Sequence, residues 1–192
     1  MRNPVREKGL AMAAIAQTES QRFLTMTLGH EIFAIDIFSV REILDYTDIT
    51  RIPQTPDFMR GVVNVRGSAV PVVDLRMKFG LGQVERTLNT RIVIVEIKKD
   101  DVLSVMGALA DSVKEVLELE TDRIDPPPRM GAAVRADFIR GIGKHGDRFL
   151  LVLDVDKVFS SDEIHDLSRV LGDDAPPPVQ QATAASDEDF FR

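Results

Sequence analysis

The 192-residue chain has no cysteine, no tryptophan, a single tyrosine and only three histidines. Without cysteine there is no disulfide, no thiolate metal site and no thiol nucleophile, and the sequence suits a reducing compartment. His30, His145 and His165 have no partner at ligand spacing on one strand or helix, so there is no His-x-x-x-His motif. No apolar run approaches the length of a membrane span. A formal net charge of −7 argues against a nucleic-acid footprint. The short apolar run at 10–16 follows a basic start (Arg2, Arg6, Lys8) but leads into Gln17-Thr18-Glu19 with no small-residue cleavage site. It makes a weak signal peptide. We read residues 1–20 as a disordered extension, or as a mis-called start upstream of Met12, and expect a cytoplasmic protein.

Strand signals dominate what is present. Leu24, Met26 and Leu28 alternate with threonines, Gly29-His30 turns, and 32–37 returns, a hairpin. Further segments follow at 40–44, 49–52, 61–65, 69–73, 91–97, 102–110, 112–119, 138–143 and 148–155. The run 91–97 is apolar on both faces, as a central strand should be. Pro53, Pro56 and the polar stretches 80–89 and 98–101 mark turns and loops, 125–128 breaks any regular element, and 56–59 reads as one helical turn. Residues 154–159 read as a short helix begun by Asp154, and 162–171 as a C-terminal helix with Ser161 as N-cap. From Gly172 the acidic, proline-rich composition cannot offset chain entropy, so 172–192 is expected to be disordered, with Phe190-Phe191 as a candidate linear motif at its end.

Roughly ten short strands with few helices point to an all-β barrel architecture. A single barrel of that size has a wide interior that needs large side chains or a ligand, and this chain is poor in large aromatics. Two small five-stranded barrels are the better reading. Each alone would have only about 60–70 residues and marginal stability, so their mutual packing should matter.

The segment 58–80, FMRGVVNVRGSAVPVVDLRMKFG, is the most informative part of the chain. Two apolar runs flank Arg66-Gly67-Ser68, a tight turn in which Gly67 suits a positive φ. Pro71 places the second strand at an edge or a bulge. Asp74 stands where a helix N-cap belongs, before Leu75, Met77, Lys78 and Phe79.

Reaction chemistry finds little support. Gly141-Ile142-Gly143-Lys144-His145-Gly146 matches G-x-G-x-x-G, but a strand follows it where a dinucleotide site needs a helix, so it reads as a glycine-rich hairpin. Lys144 is not followed by Ser or Thr, there is no Gly-x-Ser-x-Gly elbow, and no EF-hand pattern. The acidic pairs Asp100-Asp101, Asp154/Asp156 and Asp173-Asp174 read as turn, cap and tail charges. We therefore assign no catalytic, cofactor or metal residue. Arg66 stands out because apolar neighbours Val62, Val65 and Val70 surround it, and Arg beside an apolar patch is a common interface anchor.

The run Gly61-Val62-Val63-Asn64-Val65-Arg66-Gly67, followed by Pro71-Val72-Val73-Asp74-Leu75-Arg76 and Phe79, resembles the signature of the chemotaxis coupling protein family, the CheW-like scaffold domain, with Val65 where Leu is usual. The resemblance covers about residues 21–164 and implies a CheW-like domain over 21–171: two intertwined SH3-like barrels with partly exchanged strands. It implies a non-enzymatic adaptor, a monomer when free, that joins the cytoplasmic tip of a methyl-accepting receptor to the regulatory domain of a histidine kinase in a membrane-associated array, with no cofactor. Val40, Glu42, Ile43 and Gly61 match positions near the kinase edge. Arg66, Ile92, Val93, Val113 and Gly141 match positions associated with receptor binding. The plain alternative for Val40, Ile43, Ile92, Val93, Val113 and Gly141 is ordinary core, and for Gly61 a glycine that simply permits a tight turn. A different class, a β-barrel module for a peptide or metabolite outside chemotaxis, would show no recruitment to arrays; a hydrolase would show turnover that loss of one carboxylate abolishes.

Overall fold

The computed structural model describes residues 20–83, 86–99, 102–127 and 137–164. Among them are ten strands: β1 (Ser20–Leu28), β2 (Glu31–Asp36), β3 (Val40–Asp45), β4 (Met59–Val65), β5 (Ser68–Asp74), β6 (Arg91–Lys99), β7 (Val102–Ala110), β8 (Ser112–Glu120), β9 (Ile139–His145) and β10 (Arg148–Leu153). Two one-turn helices, α1 (Leu75–Lys78) and α2 (Val155–Val158), follow β5 and β10. The strands form two curled five-stranded sheets ordered β8-β1-β2-β10-β9 and β3-β6-β7-β5-β4. Each barrel thus takes a hairpin from one half of the chain and three strands from the other.

Alternation along the strands builds three cores. Phe23, Ala34, Leu119, Leu150 and Val152 fill the first barrel. Val63, Val70, Val72, Ile92, Ile94 and Leu109 fill the second. The largest core lies between them and draws Leu24, Met26, Phe33 and Ile35 from one barrel and Val73, Val93, Val95, Ile97 and Met106 from the other. The expectation that mutual packing matters is met, because most of the buried apolar surface belongs to both barrels at once.

The two halves are copies of one plan. Residues 58–79 align without a gap on 138–159, sharing Phe58/Phe138, Arg60/Arg140, Gly61/Gly141, Asp74/Asp154 and Phe79/Phe159. Residues 40–45, VREILD, align on 113–118, VKEVLE. The backbone repeats as well. Both hairpins carry a bulge at the arginine, seen as Met59↔Val73 with Gly61↔Val72 and as Ile139↔Leu153 with Gly141↔Val152. In both, the aspartate N–H donates to the preceding phenylalanine carbonyl at 2.8 Å, Asp74 to Phe58 and Asp154 to Phe138.

Several expectations change. Residues 56–59 are a reverse turn, with the Met59 N–H donating to the Pro56 carbonyl at 2.8 Å, not a helical turn. Of 49–52, only Thr50 pairs, as an isolated bridge to Val62. Lys98 and Lys99 belong to β6. Pro71 lies in an interior strand. It is tolerated because Val62, its cross-strand neighbour, spends its N–H and C=O on Thr50 and asks nothing of Pro71, while the ladder from β5 to β7 starts only at Val72. Asp154 precedes α2, but its carboxylate pairs with Lys157 at 2.8 Å and caps no N–H. The C-terminal helix begins one residue early: the Glu163 N–H donates to Ser160 Oγ at 3.2 Å and the Ser160 N–H to Glu163 Oε2 at 2.7 Å, a capping box centred on Ser160. The glycine-rich segment at 141–146 forms the β9–β10 hairpin as expected. The readings of 1–19, 165–171, the tail at 172–192 and His165 fall outside the described residues.

Candidate functional site

Gly61 and Gly141 are set by packing. Gly61 has φ +132, and a Cβ there would lie 2.1 Å from the Thr50 carbonyl oxygen; a Cβ on Gly141 would lie 2.5 Å from Ile124 Cγ2 and 2.8 Å from the Asp125 oxygen. In each barrel the connection into the bulged strand crosses over the glycine. Thr50 exchanges both backbone bonds with Val62, and Asp125 does the same with Ile142.

Ile92 and Val93 are wholly buried, Ile92 inside the second barrel and Val93 in the shared core. They lie on β6 beside β3 in the same sheet, paired with Leu44 and Ile43. Val40 and Val113 are half-buried and pack on the shared core. Ile43 shares a face with Val93 but sits at the sheet edge, where 42% of it is exposed; its counterpart Val116 is 48% exposed.

Arg66 forms the first loop position of the β4–β5 hairpin. Its φ is 52 and that of Gly67 is 91, the two left-handed residues of a type I′ turn. Asn64 Oδ1 accepts the Gly67 N–H at 2.8 Å and holds the turn. The sequence located the positive φ at Gly67 and missed it at Arg66, although a two-residue I′ loop demands it at both. The counterpart is Gly146, φ 58. A bulky residue in this region costs about 1–2 kcal/mol, so Arg66 is retained against local preference. Its side chain is 82% exposed and donates from Nη2 to Glu42 Oε2 at 3.2 Å. Glu42 is on β3 and Arg66 at the tip of β4, the two edge strands of the second sheet, so the pair links its edges. The equivalent link in the first barrel is looser: His145 Nε2 lies 3.9 Å from Glu115 Oε1.

At the open end of this hairpin, away from the turn, Asp74 is almost fully buried and accepts the N–H groups of Arg76 and Met77. Burial raises its pKa, against those bonds and the Arg60 guanidinium 3.8 Å away. At the same end the aromatic pairs of the two halves diverge. Phe79 and Phe138 stack directly, centroids 4.5 Å apart. Between Phe58 and Phe159 sits Lys78, its Nζ 4.3 and 5.0 Å from the ring centres and 2.7 Å from Glu163 Oε1. Burial opposes ionisation of Glu163, but the bonds from Lys78 and Ser160 outweigh it and hold the carboxyl below its usual range. No group of three or more His, Asp or Glu among the described residues is placed to hold a metal, and no helix there is long and apolar enough to cross a membrane.

The sequence therefore singled out five exposed or rim positions (Val40, Glu42, Ile43, Arg66, Val113), two packing glycines and two core residues. It missed that Val40, Glu42 and Gly61 are the internal counterparts of Val113, Glu115 and Gly141. The VREILD/VKEVLE pair was the available signal.

A CheW-like domain model matches residues 22–163. The chain is 38% identical to the chemotaxis protein CheW of Klebsiella aerogenes over 148 residues, covering 77% of this chain and 87% of that one. It is 32% identical to the chemotaxis protein CheW of Helicobacter pylori, covering 75% and 84%. The crystal structure of the scaffolding protein TtCheW from Thermoanaerobacter tengcongensis matches with a TM-score of 0.66 at 31% identity, over 76% of this chain and 96% of that one. With its paired barrels, exchanged strands and signature hairpin, the chain belongs to the CheW-like domain family of chemotaxis coupling proteins.

Proposed function

We propose that this chain is a chemotaxis coupling adaptor, a non-enzymatic scaffold that holds receptor and kinase in one assembly. The β3/β4 edge of the second barrel, with Val40, Glu42 and Ile43 displayed and Gly61 shaping the bulge, docks on the regulatory domain of a histidine kinase. The groove between the barrels, rimmed by Val113 and the Arg66 turn, takes the helical tip of a methyl-accepting receptor. Ile92 and Val93 hold β3 from the neighbouring strand β6, and Gly141 lets residues 124–125 lie close on β9. Both barrel interiors are filled by apolar side chains, and the family match favours this reading over a metabolite-binding module.

The observation that carries the proposal is the Arg66–Glu42 pair. A residue assigned to the receptor side and one assigned to the kinase side hydrogen-bond across the sheet, so a partner that draws on either changes the other. Coupling requires such differential contacts in two states. The test is reconstitution of receptor, kinase and this chain with Arg66→Gly, which keeps the turn and removes the guanidinium. Receptor control of kinase activity should be lost while the variant stays folded. Full control by Arg66→Gly would overturn the role of Arg66.

A further inference from the structure

Each half of the chain lends its first hairpin to one barrel, and that hairpin is tied to the short helix that follows the same half's last strand, in the other barrel. Asp156 on α2 accepts the Lys98 N–H on Oδ1 at 2.7 Å, at the end of β6. In the repeat, the residue aligned with Asp156 is Arg76 on α1, of opposite charge, and the N–H to be held is that of Gly29 in the β1–β2 turn. A cation cannot accept that bond. Asp111 stands between them. It is the single residue joining β7 of one barrel to β8 of the other. Its Oδ2 accepts the Gly29 N–H at 2.5 Å and a bond from Arg76 Nη1 at 3.2 Å, and its own N–H donates to the Thr27 carbonyl at 3.0 Å. Arg76 Nη2 also donates to the Leu81 carbonyl at 3.3 Å.

We infer that Arg76 and Asp111 are positioning residues of the adaptor: with Asp156, they fix the angle at which the two barrels meet. The shared core is large but apolar, and apolar burial is non-directional, so it holds the barrels together without selecting one orientation. Directional bonds at both ends of the interface do. The two ends are not equally stiff. The Asp156 clasp is one direct bond, with α2 held further by Lys99 Nζ at the Asp156 and Phe159 carbonyls. The Arg76–Asp111 clasp is a relay with capacity in hand, because Arg76 Nε and Asp111 Oδ1 are buried with no hydrogen-bond partner. One is a donor and the other an acceptor, the two halves a guanidinium–carboxylate fork uses for bidentate pairing. The relay is the adjustable end.

The chain's lack of cysteine allows a clean test. Spin labels at Phe149→Cys on the first barrel and Val102→Cys on the second, both exposed, report the inter-barrel distance in the full chain. Asp111→Ala and Arg76→Gln should each shift or broaden that distance distribution, and Asp111→Asn, which can still accept from Gly29, should do so less. Should Asp111→Ala not fold, Arg76→Gln carries the test. A distribution identical to that of the unmodified chain in the folded relay variants overturns the inference. A second arm rests on the adaptor reading: relay variants should reduce receptor control of the kinase about fivefold or more with affinity for each partner alone kept. Loss of control without a distance change also overturns it, since Arg76 or Asp111 would then be touching a partner directly. Failure of the unmodified chain to bind receptor or kinase would count against the adaptor reading alone, because the distance measurement needs neither partner.

Discussion

The hairpin at 58–79 and the hairpin at 138–159 share their strand pairing and bulge but differ at the loop and on the surface, and the difference separates what the fold requires from what the function uses. The residues they share do structural work. The arginine marks the bulge, the glycine admits the crossing segment, the aspartate N–H ties the open end of the hairpin, and the phenylalanines join the halves. Residues found in only one hairpin are not explained in that way. Arg66 stands in a left-handed position where the other copy has Gly146, and Lys78 lies between two rings where the other copy has Val158. A signature motif contains both kinds of residue, and only the internal repeat tells them apart.

Breaking the shared part should have the largest effect. Gly61→Ala combines a positive φ with a backbone clash and should cost about 3 kcal/mol or more in chemical denaturation. Gly141→Ala meets a movable Ile124 side chain and a less severe backbone contact, and should cost about 1–3 kcal/mol. Equal costs would remove the asymmetry. It follows that lost partner binding in a Gly61 variant reports the fold and does not locate an interface.

Lys78→Val, which copies the other hairpin, leaves Glu163 without its cation and should cost about 1–3 kcal/mol at neutral pH. The pH dependence gives the sign. The Glu163 carboxyl titrates below the ordinary glutamate value of 4.5 in the folded chain, so its contribution is present above about that pH and is lost as pH falls through the folded value. Glu163→Gln should flatten the acid limb of the stability curve in that window. An acid limb unchanged in Glu163→Gln would place the dependence elsewhere. Asp74 has the opposite sign: burial raises its pKa above 3.8, so its ionisation costs stability as pH rises through the folded value. Asp74→Asn, which keeps an acceptor for the cap, should remove that cost.

The smallest effect is expected from exchanging the turn residues. Arg66→Gly should leave stability unchanged or raise it by about 1 kcal/mol, and Gly146→Arg should lower it by about as much. A large loss in Arg66→Gly would mean that the exposed ion pair with Glu42 is structural after all.

Most of the strands were legible in the sequence because their two faces go to different cores, as in 91–97, where Ile92 and Ile94 enter one barrel and Val93, Val95 and Ile97 the shared core. The Asp74 cap and the Gly67 turn were legible from local chemistry. What escaped depended on distant partners. Pro71 was misplaced because only Thr50 shows that Val62 makes no demand on it. Asp154 and Ser161 were misread as caps because Lys157 competes for the first and Glu163 selects Ser160 over the second. The burial of Ile92 and Val93 could not be told from an interface by pattern alone, since a core face and a docking face are equally apolar.

The central claim is that the second barrel's edge, and not its internal copy, meets the kinase. Calorimetric titration against the regulatory domain of a chemotaxis-type histidine kinase tests it, with Ile43→Asp and Val116→Asp compared, since both change an exposed rim residue at the same place in the repeat. Saturable 1:1 binding is expected, weakened about tenfold or more in Ile43→Asp and kept in Val116→Asp. Equal weakening by both, or by Val116→Asp alone, would contradict it.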